Sequence, residues 1–460
     1  MFFTTSRQTI EKNREAYLAM YDKSHLLVQL DQLIDWHSIL KKLMRYYSNT
    51  PTGRPSKDPI ILVKILLIQS LEGFRSVRLT CKQVQSNATY RWFLGIHLFE
   101  KVPHHSTISR FLWERLKGPP FWLALFNEQV WAIHQEGFIA NKTWAADETE
   151  LKANANKRFR QRLLVKKMVE ENENDLKRIN QFREKQGKKP LKPALSKVIF
   201  HPTNFSPVDE DARLSVKHVE RGQFAYYEHR IVDTLHGFII ASEITAANRP
   251  GHQILPQQLN QLHELFQQYA KEITLDAGYY NAQCANELFK RGFFVSIPYK
   301  RSQTKEHPSC RRHQFKKLNE TTYACPMGVP FRYTTSTRKG YHEFKASKGS
   351  CKNCPFALNE KDRILRLSIH QKTYDRLREM RLSWKGKILK TVRPQTIELS
   401  FAHSKEYHGL RYARYRGIPK VKTQVLMIAL IQNFKKWTKL RSLKQVGLHL
   451  TYKIIEDSFE

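Results

Sequence analysis

The chain has 460 residues, room for two or three domains and a sizeable core. Lysine and arginine number 78 against 42 acids, a formal net charge of +36 with a pI near 9.9. That excess points to a polyanionic partner, and to nucleic acid rather than a membrane, since no apolar run is long enough to span a bilayer. The opening "MFFTTSRQTIEKNREAYL" turns polar at once and lacks the apolar core of a signal peptide. The six cysteines therefore predict a reducing compartment and no disulfide framework.

The first 135 residues read as helices. "LLVQLDQLIDWHSILKKLMRYY" repeats apolar residues at helical spacing. "NTPTGRPSKD" is a linker of turn formers, and "PIILVKILLIQSLEGF" is an apolar helix with Pro59 near its start, where the missing N–H costs little. In "VPHHSTISRFLWERL", Ser106 or Thr107 is the predicted cap of a helix carrying Ile108, Phe111 and Leu112. His104 and His105 read as loop or capping residues. Short helices with basic residues between apolar ones fit a helix-turn-helix-like module that contacts DNA.

The centre changes character. "KTWAADETEL" reads as a strand, and "FAYYEHRIVDT" and "HGFIIASEITAAN" as a hairpin parted at "LHG". "HQILPQQLNQLHELFQQYA" is an amphipathic helix, "EITLDAGYY" a strand, "NAQCANELFKRG" a helix ending at Gly292, and "FFVSIPY" a buried strand. This order predicts an α/β fold, a mixed sheet with helices on its faces. Two stretches interrupt it. Residues 152–200 are charged and read as a solvated helical insertion. Residues 300–375 are turn-rich and hold four of the six cysteines.

Asp147 is predicted to end the first strand and Asp276 the fourth. If these strands are neighbours, both carboxylates project into one crevice beyond the strand ends. Glu398 would enter from a helix packed beside them. Three converging carboxylates repel one another, and two divalent cations of the Mg²⁺ or Mn²⁺ kind would relieve this and serve phosphodiester chemistry. Lys405 follows Glu398 by about two helical turns on the same face. Beyond it, "HGLRYARYRG" interleaves Arg411, Arg414 and Arg416 with Tyr412 and Tyr415, a pattern suited to backbone contact and base stacking. His403 and His408 read as surface positions. Cys351 and Cys354 form a C-x₂-C pair. With Cys325, and with Cys310 or His313 as fourth ligand, they could close a structural zinc site; the alternative is free thiols. No glycine-rich phosphate loop predicts ATP use, and no Ser-His-Asp or Cys-His signature is present.

Several blocks resemble the DDE transposases of bacterial insertion sequences. "DETELKANANK", with Asp147, resembles the first-aspartate block, and "SPVDEDARLSVK" the block after it. "VDTLHGFIIASEITAAN" resembles the hairpin, "LDAGYYN" the second-aspartate block, and "QTIELSFAHSKEYHGLRYARYRG" the glutamate block. "PIILVKILLIQSLEGFRSVRLTCKQVQ" and "VPHHSTISRF" resemble the leading helical domain.

The resemblance implies an RNase H-like catalytic fold over residues 140–455, with insertions at 152–200 and 300–375, behind an all-α DNA-binding domain at 1–135. It implies Asp147, Asp276 and Glu398 as catalytic, metal-binding residues, and Lys405 as a DNA contact. Arg393 becomes the candidate DNA-contacting arginine, because Pro394 occupies the position where the wider superfamily's arginine usually falls. The implied partners are double-stranded DNA, both element terminal repeats and target, and a second copy of the chain. The implied location is the bacterial cytoplasm, at the nucleoid. Two competing readings are a nuclease that cuts without joining and a DNA-binding protein whose catalysis has decayed; intact acid blocks argue against decay.

Overall fold

The structure, a computed structural model, describes residues 24–47, 55–97, 99–156, 158, 160–169, 172–194, 197–215, 222–299, 314–352, 354, 355 and 364–445. Helices α1 (Leu26–Leu33), α2 (Trp36–Met44) and α3 (Pro59–Leu71) come first. Pro59 stands at the start of α3, behind Asp58, whose carboxylate accepts the Ile60 N–H at 2.8 Å. Apolar on nearly every side, α3 is buried almost throughout. Its one charge, Lys64, is tolerated because Nζ donates to Asp31 at 2.8 Å and to the Phe93 carbonyl at 2.7 Å. Then follow α4 (Val77–Ser86), α5 (Ala88–Leu94) and α6 (His105–Arg110). The cap of α6 is His104, whose ring accepts the Ser106 N–H at 3.3 Å, and not Ser106 or Thr107. Both hydroxyl residues lie inside the first turn, while His104 holds the extended backbone a cap requires. A π-helical turn, Phe111–Arg115, leads to α7 (Pro119–Gln135).

The large sheet begins with β1 (Thr143–Lys152). The stretch predicted as a helical insertion is only partly helical and is otherwise a β-ribbon. In it, β2 (Gln161–Val169) pairs antiparallel with β3 (Lys197–Ser206) from Gln161↔Phe205 to Val169↔Lys197, and only α8 (Glu173–Lys185) between them is helical. Charge pattern alone does not register a cross-strand partner, and pairing is what decides strand formation in such mixed runs. β4 (Asp209–Ser215) joins the ribbon to β5 (Gln223–Asp233). The predicted hairpin is β5 with β6 (Ile239–Ala246), turning at Gly237 in the left-handed region. After α9 (Gly251–Phe266) come β7 (Glu272–Leu275), α10 (Ala282–Lys290) and β8 (Phe294–Ser296). β5 lies antiparallel along one edge of β1, β7 lies parallel along the other, and β8 lies parallel to β7. The first strand and the one predicted as the fourth are thus neighbours.

A second sheet, β9 (Lys316–Lys317), β10 (Thr322–Ala324), β11 (Pro330–Thr337), β12 (Tyr341–Lys345) and β13 (Ile364–Ser368), is built from consecutive antiparallel neighbours. Phe315, Phe331, Phe344, Leu365 and Leu367 form its small core. The chain then returns to the large sheet as α11 (Gln371–Leu382) and α12 (Trp384–Arg393), a second π-helical turn (Pro394–Glu398), α13 (Leu399–Tyr407) and α14 (Ile418–Gln445). α14 packs against α3, α7 and β6 through Val425, Leu426, Met427, Ile428 and Leu430. One apolar cluster therefore runs from Leu27 to Trp437, shared by the leading helices and the sheet. Among the described residues no helix is long and apolar enough to cross a membrane.

Gly386 sits where α12 crosses the end of α11. A Cβ there would stand 2.0 Å from the Met380 carbonyl oxygen and 2.9 Å from the Arg381 Cα. Backbone cannot rotate aside as a side chain can. Gly386→Ala should lower stability by about 1–3 kcal/mol, read as a lower urea midpoint at unchanged m-value.

Candidate active site, three carboxylates on one guanidinium

Asp147 and Asp276 are brought together by strand register. Ala146 and Leu275 are the last paired residues of β1 and β7, so the two aspartates are the next residues on adjacent parallel strands. Asp276 does end its strand, as predicted. Asp147 does not, since β1 continues to Lys152 against β5, with Asp147 opposite Arg230. Glu398 comes from the π-helical turn between α12 and α13. Pro394 opens that turn. Proline has no N–H to donate and its ring crowds the preceding turn, and the wider π geometry makes room for it without ending the helix.

All three acids converge on Arg393, the last residue of α12. Its Nη2 donates to Asp147 Oδ2, and its Nη1 lies 3.1 Å from Glu398 Oε1 and 3.5 Å from Asp276 Oδ1. Nε is buried with no acceptor among the described residues. Asp147 is the most enclosed of the acids, and burial pushes its carboxyl up to about 6, against the pull of Arg393 and of the Glu148 N–H. Asp276 and Glu398 are half exposed. The sequence makes Arg393 a candidate DNA contact; in the fold it is the cation that holds the three acids together.

A groove of about 580 Å³ leads away from Asp147 and Glu398 past His403, Lys405, Tyr407 and Arg411. Lys405 lines it half-buried, and its pKa is lowered by burial, against the attraction of Glu228 and Glu150. Arg411 is exposed and paired with Glu406 at 2.6 Å. Arg416 is exposed and donates to the Asn154 carbonyl at 3.1 Å. Arg414 departs from its expected role as a phosphate contact. It turns inward and donates to the His408 carbonyl at 3.1 Å, and its buried Nη1 has no partner among the described residues. His408, expected at the surface, is also buried, with Nδ1 3.0 Å from the Ser70 carbonyl and 3.1 Å from that of Leu71. The arm docks there because Gly73 and Gly409, both at positive φ, allow the two backbones to touch; a Cβ on Gly409 would meet the Gly73 oxygen at 3.0 Å. Tyr412 stays exposed, with Arg75 5.9 Å and Lys152 5.5 Å from its ring centroid, whereas Tyr415 is partly buried, edge-on against Trp113.

Sequence reasoning passes over Arg230. It is buried in β5, donating to Glu228 at 2.8 Å and to Ser400 and Ser404 of α13 at 2.8 and 3.1 Å. The signal is in "FAYYEHRIVD". Glu228 and Arg230 are opposite charges two apart in a strand rich in apolar residues, and so lie on one face of the sheet.

Of the zinc candidates, Cys310 and His313 lie outside the described residues. Cys351 packs into the core of the second sheet, with Cys325 at its margin. Among the described residues, as placed, no group of three or more His, Cys, Asp or Glu could hold a metal ion.

The Transposase domain (DUF772) matches residues 15–113, and the Transposase DDE domain matches residues 324–438. Both matches are to transposase domains, the second of DDE type, and together they support a DDE transposase, a family whose general activity is DNA cleavage and strand transfer. The DDE match includes Arg393, Glu398, Lys405 and the arm, and stops short of both aspartates. No curated protein matches the chain. Among solved structures, the cryo-EM structure of a piggyBac transposase synaptic complex with hairpin DNA aligns at a TM-score of 0.25 and 10% identity, over 98% of this chain and 86% of that one. At that level the alignment says nothing of how the two folds correspond.

Replacing Arg393 by Gln keeps its approximate size and removes the shared charge. The destabilisation should be about 2 kcal/mol, below the range for a fully buried pair because two of the acids are half solvated. Without divalent cations, Arg393→Gln should melt a few degrees below wild type, and magnesium should raise its melting temperature more than that of wild type. Equal melting of the two proteins in EDTA would remove Arg393 as the cation of this cluster.

Proposed function

We propose that Asp147, Asp276 and Glu398 are the metal-binding acids at which this transposase cuts the ends of its element and joins them to target DNA. The observation that carries the reading is their convergence on Arg393 from β1, the end of β7 and the π-helical turn. The path β6-β5-β1-β7-β8, antiparallel and then parallel, supports an RNase H-like catalytic region over 140–455. The leading helices, residues 1–135, are assigned to DNA contact of the helix-turn-helix kind.

The chemistry of the donor set, carboxylates gathered around one positive charge, suits a hard divalent cation such as Mg²⁺ or Mn²⁺, although with Arg393 between them the three are not placed to coordinate one. Asp147, Asp276 and Glu398 would close on two such ions, which would supply activation of the attacking oxygen and offset charge on the leaving one. The chain's own groups do the positioning. Asp147 is held by the Glu148 N–H at 2.8 Å, so its carboxylate cannot swing freely. Asp147 and Glu398 line the groove, where a phosphodiester would lie. Lys405 and Arg411 would neutralise neighbouring phosphates, and Arg411 would exchange Glu406 for one of them. Two element ends and one target must meet, which favours action as a homodimer on duplex DNA.

Asp147→Ala, Asp276→Ala and Glu398→Ala should each lower cleavage by at least about a thousandfold, with binding of end DNA within a few-fold of wild type. Cleavage and joining of labelled end fragments with Mg²⁺ or Mn²⁺, beside gel shifts, measure both. Near-normal cutting by any one variant removes that acid from the site, and cutting by wild type without joining would favour a nuclease.

A further inference from the structure

We infer that the leading helices carry a second site for DNA phosphates, in the concavity between the end of α2, the start of α3 and the π-helical turn Phe111–Arg115. It rests on the transposase reading, yet it shares no residue with the groove at the acids. The concavity measures about 730 Å³ and is edged by Arg45, Lys57, Arg110, Arg115 and Lys117, against one acid, Glu114.

Arg115 is held in place, its guanidinium 4.2 Å from the Tyr47 ring centroid and its Nη1 donating to the Tyr46 carbonyl at 3.2 Å. Among the described residues, Arg45, Lys57, Arg110 and Lys117 have no ion-pair partner. Some exposed cations elsewhere in this chain find an acid, as Arg411 finds Glu406 and Lys290 finds Glu287. Here like charges edge one hollow, and folding alone gives them no reason to gather. A polyanion offsets that repulsion. The forked guanidinium groups of Arg45 and Arg110 suit phosphate oxygens, and Tyr46 and Phe111 supply an apolar wall for the sugars.

The backbone points to the same hollow. π-helical turns are rare and concentrate at functional sites. Of those in the described residues, one ends on Glu398 and the other supplies Phe111, Glu114 and Arg115 to this concavity. Two residues on, Lys117 is held at φ +53°, a left-handed conformation that strains a residue with a Cβ. Glycine at 117 would relieve that strain at the cost of the cationic side chain.

The test uses the full chain in metal-free buffer, a fluorescent 30-base-pair duplex as probe, and anisotropy titrations at several KCl concentrations. Removing one cation that meets a phosphate should lower the slope of log K against log salt by about one unit. Lys57→Ala/Arg110→Ala/Lys117→Gly should therefore show a slope shallower by about two to three units while keeping its far-UV spectrum. Lys117→Gly alone should bind several-fold more weakly yet melt no lower than wild type, and its melting temperature should rise if strain is released. A folded triple variant with the wild-type slope overturns the site. So does a Lys117→Gly protein that melts lower and binds normally, because the lysine would then serve the fold. Cleavage by wild type separates the two readings. A chain that cuts its DNA while the triple variant keeps its slope loses only this site, whereas a wild type that neither binds nor cuts loses the reading of the acids as well.

Discussion

An arginine buried in the middle of a β-sheet governs where the acids can stand. Arg230 is fully enclosed in β5, where an unpaired guanidinium would be prohibitive. It is satisfied from both sides. Glu228, itself held by Ser242 at 2.9 Å, supplies the opposite charge from the same sheet face. Ser400 and Ser404 supply hydroxyls from α13, and the Phe401 ring lies 4.4 Å from the guanidinium carbon. Gln432 of α14 closes the network by accepting from Ser404 and donating to the Ser400 carbonyl at 3.0 Å. These bonds fix α13 along its axis and in rotation, because Ser400 and Ser404 must share one face. Glu398 stands two residues before Ser400, so its position follows from that constraint.

Arg393 is the opposite kind of arginine. It too meets carboxylates, but at the sheet's open end, where two of its three partners are half in solvent. Such an arrangement is held by charge more than by packing, and in the proposed reading another cation would take it over. The fold would then pair a permanent ionic lock, Arg230 with Glu228, with a replaceable one, about two helical turns before Ser400 on the same helical path. The rigid lock would keep the acids from scattering when the replaceable cation left.

What the sequence made legible were features with a local signature. β1, the hairpin, β7 and α9 carry period-2 or helical patterns. Asp147 and Asp276 meet because their strands are parallel neighbours, which the βα order allowed but did not require. What stayed hidden depends on partners distant in sequence. The β2–β3 ribbon exists through pairing between residues as far apart as Gln161 and Phe205, and its charges mimic a solvated helix. Arg414 and His408 belong to a basic run with the composition of an exposed arm, and only contact with Gly73 and the end of α3 turns them inward. The role of Arg393 was out of reach for a related reason. Spacing from Glu398 puts an arginine near the acids but does not say which way the π-helical turn aims it.

The same contrast changes what a net charge of +36 means. Counted in sequence, every lysine and arginine is available to a polyanion. In the fold several are structural. Arg91 donates to the carbonyls of His97 and Glu100, closing the chain reversal after α5. Lys436 donates to the Gly237 carbonyl at 2.6 Å, tying α14 to the β5–β6 turn, and burial lowers its pKa to about 8. Lys64 and Arg414 likewise serve carbonyls left over at turns and helix ends. Such cations stitch a large chain whose connections reverse often, and they add little to the outer field. The cations that remain outside are therefore fewer than composition suggests, and where they collect carries more weight than how many there are. Five of them edge the hollow beside Arg115 and two lie along the groove at the acids, so in the proposed reading DNA would be held at two separate places.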